Sequence, residues 1–215
     1  MEAKPSAVDV ISVCSASGEI RPLRVQLIDE AADIGVEMRV LSGDEEAEMA
    51  YAGVGADGRT GIVDIGGGSA QMGAVRLTAK CPEGTPREVL ICEAKAVLEP
   101  VFALADKVQV DRWVGVGGTA TTLAAMDLQL TAYDAEKIQD HPISREFVSR
   151  RLDEMLAMTL EQRRCIPGLQ PERADIICAG AAIMMAFFAL SGAETVYASD
   201  SDNLMGYLRS NAEKL

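Results

Sequence analysis

The sequence predicts an α/β domain, a mixed β-sheet flanked by helices. Short β-branched runs alternate with longer segments whose apolar residues recur at helical spacing. Two apolar strands run directly into glycine-rich turns, which suits backbone N–H groups pointing at a ligand. Only 4% of the residues are aromatic, so we expect a core of aliphatic residues and methionine. A chain of 215 residues has the size of one ordinary domain or somewhat more.

Composition and charge argue against several classes of protein. The net charge is −13, whereas proteins that bind nucleic acids or membrane surfaces usually present positive charge to them. The five cysteines form no Cys-x-x-Cys pair, which indicates reduced thiols. A single histidine excludes a His-rich metal site. The longest apolar run, residues 176–190, is shorter than the roughly 20 residues of a spanning helix. We therefore expect a cytoplasmic protein with no DNA or membrane partner.

The first half of the chain is predicted to alternate strands and helices. Predicted strands are 8–13, 36–41 and 60–65, and predicted helices are 22–34 and 42–52. Ser42 and Glu45 have the spacing of a capping box, with Ser42 at the N-cap position and Glu45 at N3. Residues 70–78 have the pattern of extended chain, and residues 80–86, with two prolines and a glycine, that of a turn.

The second half is richer in predicted helix. The predicted elements are helices 88–107, 117–130, 144–156, 171–190 and 203–209, with strands 112–116 and 194–198. Ser144 is placed as an N-cap, and Pro171 as the first residue of the buried helix. Arg163 and Arg164 precede a Pro-Gly turn. They could contact a phosphate, but we expect arginines that are solvated or that lie at a helix end.

The strongest local signal follows the strand at 60–65. This strand delivers the carboxylate of Asp64 to the glycines Gly66, Gly67 and Gly68, followed by Ser69. Glycines let the backbone approach a phosphate closely, and Ser69 adds a hydroxyl donor. Asp64 suits Mg²⁺, a hard cation that prefers oxygen ligands. A plain glycine turn with a capping aspartate explains the same residues equally well.

The second signal is the turn at 115–120, Gly-Val-Gly-Gly-Thr-Ala, between a strand and a helix. Its candidate contact residues are Gly115, Gly117, Gly118 and Thr119. The pattern fits a dinucleotide turn, with Asp134 or Glu136 near the ribose, or a second phosphate loop at a helix N-terminus. Close packing of helix on strand also requires glycine here.

The third signal is Glu45-Glu46 in the first predicted helical turn. With Glu45 engaged in the capping box, Glu46 is left to orient water or to act as a base. An acidic first turn that complements the helix dipole explains the same pair.

The stretches that carry these signals resemble the Ppx/GppA family of exopolyphosphatases and guanosine pentaphosphate phosphohydrolases. The matching stretches occur in the family's order and are residues 41–54, 62–71, 114–128, 166–184 and 198–200. The resemblance implies the actin-like ATPase fold, whose two RNase H-like lobes enclose a cleft. It implies that residues 42–215 are the second lobe and residues 1–41 a remnant of the first.

The resemblance also implies a reaction and roles for residues. The reaction is the Mg²⁺-assisted hydrolysis of a terminal phosphoanhydride of inorganic polyphosphate or pppGpp. Glu46 corresponds to the residue that activates the attacking water, and Gly66–Ser69 to a phosphate-binding loop. The turn at 115–119 corresponds to the region that holds the nucleotide in ATPase relatives.

Three departures from the family pattern leave a second function open. No glycine/serine phosphate loop precedes Ser42, and Gln71 stands where the family has a glutamate, leaving a neutral group to position water. Residues 199–206 lack the family's arginine and glutamate. The alternative is a non-catalytic module that binds polyphosphate or (p)ppGpp. An oxidoreductase using the turn at 115–120 would instead bind NAD(H) or NADP(H). We also expect a homodimer that covers apolar surface left by an incomplete first lobe.

Overall fold

The structure is a computed structural model and describes residues 43–55, 58–66, 73–104, 109–201 and 206, without the side chains of residues 43, 44, 46 and 104. The described helices are α1 (Gly43–Val54), α2 (Ala74–Lys80), α3 (Arg87–Leu104), α4 (Gly117–Asp127), α5 (Ala135–Ile138), α6 (Arg145–Leu156), α7 (Leu160–Arg163) and α8 (Ile177–Ser191). The described strands are β1 (Thr60–Asp64), β2 (Arg112–Val116), β3 (Pro142–Ser144) and β4 (Thr195–Ala198). The elements predicted over residues 8–41, the Ser42 cap, residues 67–72 and all of the helix 203–209 except Gly206 lie outside the described residues.

The described strands form a mixed sheet in the order β1-β2-β4-β3. Strands β1, β2 and β4 are parallel, and β3 pairs antiparallel with β4. Asp64 of β1 aligns with Val116 of β2, and Gly115 of β2 aligns with Ala198 of β4. The carboxyl ends of the parallel strands therefore meet at one edge, where an open α/β sheet usually receives its ligand.

The two faces of the sheet contact different helices. Ile62, Val114 and Val116 point to one face and pack with Tyr51 and Val54 of α1. The opposite face contributes to the main core together with α2, α3, α4, α6 and α8. This separation follows from the period of two along a strand, which sends alternate side chains to opposite faces.

Helix α8 occupies the centre of the main core. Every residue from Ile177 to Phe188 is buried, so the helix is apolar on all sides. It packs against α2, α3, α4 and α6. The Phe187 ring meets the Trp113 ring edge-on, with 4.9 Å between centroids. The helix ends where Gly192 takes a left-handed φ of 70°, a conformation that glycine adopts without steric cost. None of the described helices is both long enough and apolar enough to cross a bilayer.

Two predicted segments differ from the structure. The extended chain predicted over 70–78 is wrong from Ala74 onward, because Ala74–Lys80 is helical. Ala74 and Leu77 are buried one turn apart, a helical stripe that a seven-residue segment hardly distinguishes from alternation. Pro171 begins a 3₁₀ turn over Pro171–Arg173, and the buried helix begins only at Ile177.

Candidate functional site

The candidate site lies where the three parallel strands end. Strand β1 ends at Asp64, β2 runs directly into α4 at Gly117, and β4 runs into Ser199 and Asp200. The Ser199 N–H donates to the Gly115 carbonyl oxygen at 2.8 Å, which fixes the end of β4 against β2. The sheet thus brings together three stretches that are distant in sequence.

The Asp64 carboxylate lies directly against Gly117. A Cβ built on Gly117 would stand 2.5 Å from Asp64 Oδ1, whereas one built on Gly66 would stand 3.9 Å away. Gly117 has a φ of +80°, so a side chain there would be strained as well as crowded. This arrangement holds a negative charge next to the first turn of α4, whose N-terminus carries partial positive charge.

Arg173 lies over the same turn and was not identified from the sequence. A Cβ built on Gly118 would stand 1.6 Å from Arg173 Nη1, so the guanidinium covers the Cα of Gly118. Arg173 Nε donates to Gln170 Oε1 at 2.9 Å, which orients the group from the 3₁₀ turn. A cation beside a helix N-terminus has the unfavourable sign for the helix dipole. An anionic phosphate between the two would interact favourably with both.

Tyr133 and Asp200 close the edge beside Arg173. The Tyr133 hydroxyl donates to Asp200 Oδ1. Partial burial, followed by the hydrogen bond from Tyr133 to Asp200, raises the pKa of Tyr133 to about 12. Gln139 Oε1 accepts from the Asp200 N–H at 3.1 Å, which fixes the loop that carries this carboxylate. The phenol therefore stays neutral at ordinary pH and orients Asp200.

The remaining residues of the glycine turn serve packing. A Cβ built on Gly115 would stand 2.8 Å from Val196 Cγ1 and 3.0 Å from Ala120 Cβ. Thr119 is buried, and a Cβ on Gly180 would stand 2.7 Å from its hydroxyl oxygen. The structure thus brings Gly117 and Gly118 to the strand edge, whereas Gly115 and Thr119 let α4 approach β4 and α8.

The Asp134 carboxylate, a candidate for a ribose contact, is engaged by its own helix. Its side chain caps α5 by accepting from the Lys137 N–H at 3.3 Å and pairs with Lys137 Nζ at 2.8 Å. These interactions lower the pKa of the Asp134 carboxyl. Glu136, the other candidate for a ribose contact, is exposed in the first turn of the same helix.

Helix α1 carries Glu46 and lies on the outer face of β1 and β2. The backbone of Glu46 is helical, while its side chain lies outside the described residues, as do Gly67, Gly68, Ser69 and Gln71. Glu45 is half-buried and has a polar interaction of its own. Gly206 lies against α1, because a Cβ built on it would stand 1.7 Å from the Met49 carbonyl oxygen.

Comparisons with known proteins identify the family of this chain. Residues 69–201 match the sequence profile of the Ppx/GppA phosphatase family. The chain is 33% identical over 179 residues to exopolyphosphatase 2 of Mycobacterium tuberculosis, covering 72% of this chain and 56% of that protein. It is 29% identical over 188 residues to a guanosine-5'-triphosphate,3'-diphosphate pyrophosphatase of Vibrio atlanticus, covering 73% of this chain and 35% of that protein. The chain thus spans about half the length, or less, of these two relatives.

Solved structures show the same fold. A Ppx/GppA family member from Aquifex aeolicus superposes with a TM-score of 0.76 at 23% identity, covering 91% of this chain and 70% of that one. An exopolyphosphatase from Cytophaga hutchinsonii gives a TM-score of 0.74 at 21% identity, covering 89% and 71%. These relatives confirm the α/β, actin-like ATPase fold that the sequence resemblance implied. Because the family profile matches more than half of this chain, the chain belongs to the Ppx/GppA phosphatase family.

Proposed function

We propose that this chain takes part in the Mg²⁺-assisted hydrolysis of terminal phosphoanhydride bonds in inorganic polyphosphate or pppGpp. One observation carries the proposal: at the N-terminus of α4 the Asp64 carboxylate lies against Gly117 and the Arg173 guanidinium against the adjacent Gly118. Donors and positive charge around a transferred phosphoryl group are what this reaction needs. Two of the relatives are named for these activities, an exopolyphosphatase and a guanosine pentaphosphate pyrophosphatase.

The backbone of α4 and the Arg173 side chain have different parts in binding. The first N–H groups of α4, at Gly117 and Gly118, donate hydrogen bonds to phosphate oxygens, and Arg173 neutralises the charge of the phosphate. This local positive charge matters because the chain as a whole carries −13 and repels polyanions at long range.

The residues at the edge fit a magnesium ion. Among the described residues, no group of three or more His, Cys, Asp or Glu side chains forms a protein-only metal cage. Mg²⁺ usually binds through one or two carboxylates, with phosphates and water completing its shell, and Asp64 meets that requirement. When bound, the ion would neutralise developing charge on the phosphoryl oxygens. Glu46 is proposed to orient the attacking water from α1, with Gln71 as a neutral positioning group.

Phosphate release from long-chain polyphosphate and from pppGpp, with and without Mg²⁺, tests the proposal. We expect release that depends on Mg²⁺ and is lost in Glu46→Gln. Glu48→Gln is the matched control, because Glu48 is exposed on the same helix and should leave the rate unchanged. Equal loss in both variants would contradict the role of Glu46 and indicate that α1 as a whole had been disturbed.

The same assay separates catalysis from binding alone. If polyphosphate binds in a manner that requires Arg173 but no phosphate is released, the chain acts as a binding module for polyphosphate or (p)ppGpp. Failure of polyphosphate to bind would contradict both functions. The homodimer and the cytoplasmic location stay predictions, the first to be checked by light scattering.

A further inference from the structure

Arg163 lines a cavity away from the strand edge. Of the two predicted settings the helix end is confirmed, because Arg163 is the last residue of α7, but the residue is not solvated, since only 7% of it is exposed. The cavity has a volume of about 160 Å³ and lies between the turn 81–86 and the first residues of α8. A protein cavity of about 150 Å³ takes a molecule of benzene size. The space therefore suits a ligand of a few heavy atoms.

The guanidinium of Arg163 has weak and incomplete partners. Nη1 donates to Cys178 Sγ at 3.2 Å, and a thiol is a poor acceptor. Nη2 donates to Glu83 Oε1 at 2.5 Å, but the Glu83 side chain is 69% exposed. Nε is buried without a hydrogen-bond partner. Burying a charged donor without its partner costs free energy, so this group favours any ligand that completes its hydrogen bonds.

We propose that this cavity binds a short-chain aliphatic monocarboxylate. Nε and Nη2 lie on the same side of the planar guanidinium and form a fork that matches the two oxygens of a carboxylate. Glu83 bonds only Nη2 and leaves Nε unpartnered. A ligand carboxylate satisfies both donors by taking the place of Glu83, whose exposed side chain is free to turn towards solvent.

The other walls of the cavity select against larger and more highly charged anions. Glu83 and Asp175 both line it, so the cavity wall carries two carboxylates and one guanidinium. A doubly charged phosphate would be repelled there more strongly than a singly charged ligand. Apolar walls are available for an aliphatic body, and they come from Pro82, Leu90, Leu156, Leu160 and Ala179. A chain of three to five carbons is about the size of benzene and matches this lining.

Ligand-observed NMR and protection of Cys178 against a small methylthiolating reagent test the proposal. The probes are acetate, butyrate, octanoate, inorganic phosphate and uncharged butyramide at constant ionic strength. We expect butyrate to bind and to slow labelling of Cys178, with little effect from phosphate or butyramide. Octanoate should exceed the cavity and bind less well than butyrate.

Glu83→Gln provides the sharpest variant, because it removes the competing carboxylate from an exposed position. Butyrate affinity should rise roughly twofold to fivefold, the worth of a partly exposed ion pair. Glu161→Gln is the matched control, because Glu161 pairs with Arg164 and does not line the cavity. The affinity of this variant for butyrate should equal that of the wild type. Arg163→Lys keeps the charge but loses the fork, and should abolish binding.

Three results would overturn the proposal. One is absence of butyrate binding in both the wild type and Glu83→Gln. Another is equal affinity in these two proteins. The third is equal protection of Cys178 by butyrate and butyramide, which would mean that the carboxylate has no part. If Arg163→Lys fails to fold, the comparison between Glu83→Gln and Glu161→Gln still decides the question.

Discussion

Asp64 Oδ1 and the Cα of Gly117 lie so close together that no side chain fits between them. A Cβ on Gly117 would stand 2.5 Å from the carboxylate oxygen. The aspartate at the end of β1 and the turn at the end of β2 thus form one unit, although 52 residues of chain separate Asp64 from Gly117 (65 to 116). A side chain added at Gly117 must therefore move the Asp64 carboxylate.

Gly117→Ala should reduce both stability and phosphate release. The left-handed φ of a non-glycine residue costs about 1–2 kcal/mol, and the new methyl displaces Asp64. Gly58→Ala is the matched control, because Gly58 has a φ of +73° but no neighbour within 4 Å of its Cβ position. Urea unfolding should show destabilisation in both variants, larger in Gly117→Ala because of the added contact with Asp64, and phosphate release should be lost only in Gly117→Ala. Equal release in the two would refute a role for the Asp64–Gly117 contact.

Gly118→Ala should weaken polyphosphate binding with little change in the free energy of unfolding. The new methyl meets the far end of the Arg173 side chain, which can move away cheaply. Displacement of the Arg173 guanidinium removes positive charge from the N-terminus of α4. Affinity measured in a double-mutant cycle with Arg173→Gln should be non-additive, since both changes remove the same contact. Additive losses would show that Gly118 acts independently of Arg173.

Gly115→Ala should destabilise the fold by about 1–3 kcal/mol, the usual cost of overpacking a core. Its Cβ would stand 2.8 Å from Val196 Cγ1 in a sheet contact that has no room to relax outward. Chemical unfolding measures the effect. Combining it with Val196→Ala should cost less than the sum of the single variants, because the shortened side chain makes room for the new methyl. A fully additive pair would contradict this reading of the contact.

Tyr133 should titrate about two units above an ordinary tyrosine. Its folded-state pKa of about 12 exceeds the value of about 10 in an unfolded chain. The folded state therefore favours the neutral phenol, and this contribution to stability is present below about pH 10 and lost as the pH rises through about 12. The difference in tyrosinate absorbance between the wild type and Tyr133→Phe isolates this residue among the four tyrosines. A midpoint near 10 would contradict the structure, and Asp200→Asn should lower the midpoint.

The sequence predicted β1, β2 and β4 well because those signals are local, but it missed the three-residue strand β3. Apolar runs at 60–65 and 112–116 followed by glycines define both the strands and the turns at their ends. The helix at Ala74–Lys80 was missed because its buried stripe is only one turn long. Arg173 was missed because its position depends on the 3₁₀ turn and on the close approach of Gly118, and neither has a pattern along the chain.

The glycine turn shows how one motif divides between two physical tasks. Pattern alone left open whether Gly115, Gly117, Gly118 and Thr119 contact a ligand or permit close packing. The structure assigns Gly115 and Thr119 to packing, because Val196 and Gly180 lie against them, and places the two central glycines at the strand edge. Which of these residues serve packing depends on the helices and strands that other parts of the chain bring against them. The spacing of the motif along the sequence therefore could not reveal the division.

The central position of α8 has a consequence for biosynthesis. Helices α2, α3, α4 and α6 all bury their apolar faces against a segment that follows them in sequence. On the ribosome these helices wait on the order of ten seconds for α8, at translation rates of about 5–20 residues per second. Their apolar surfaces stay exposed during that time, which makes the nascent chain a substrate for chaperones. Polypeptides truncated before Ile177 should therefore aggregate rather than form a smaller stable domain.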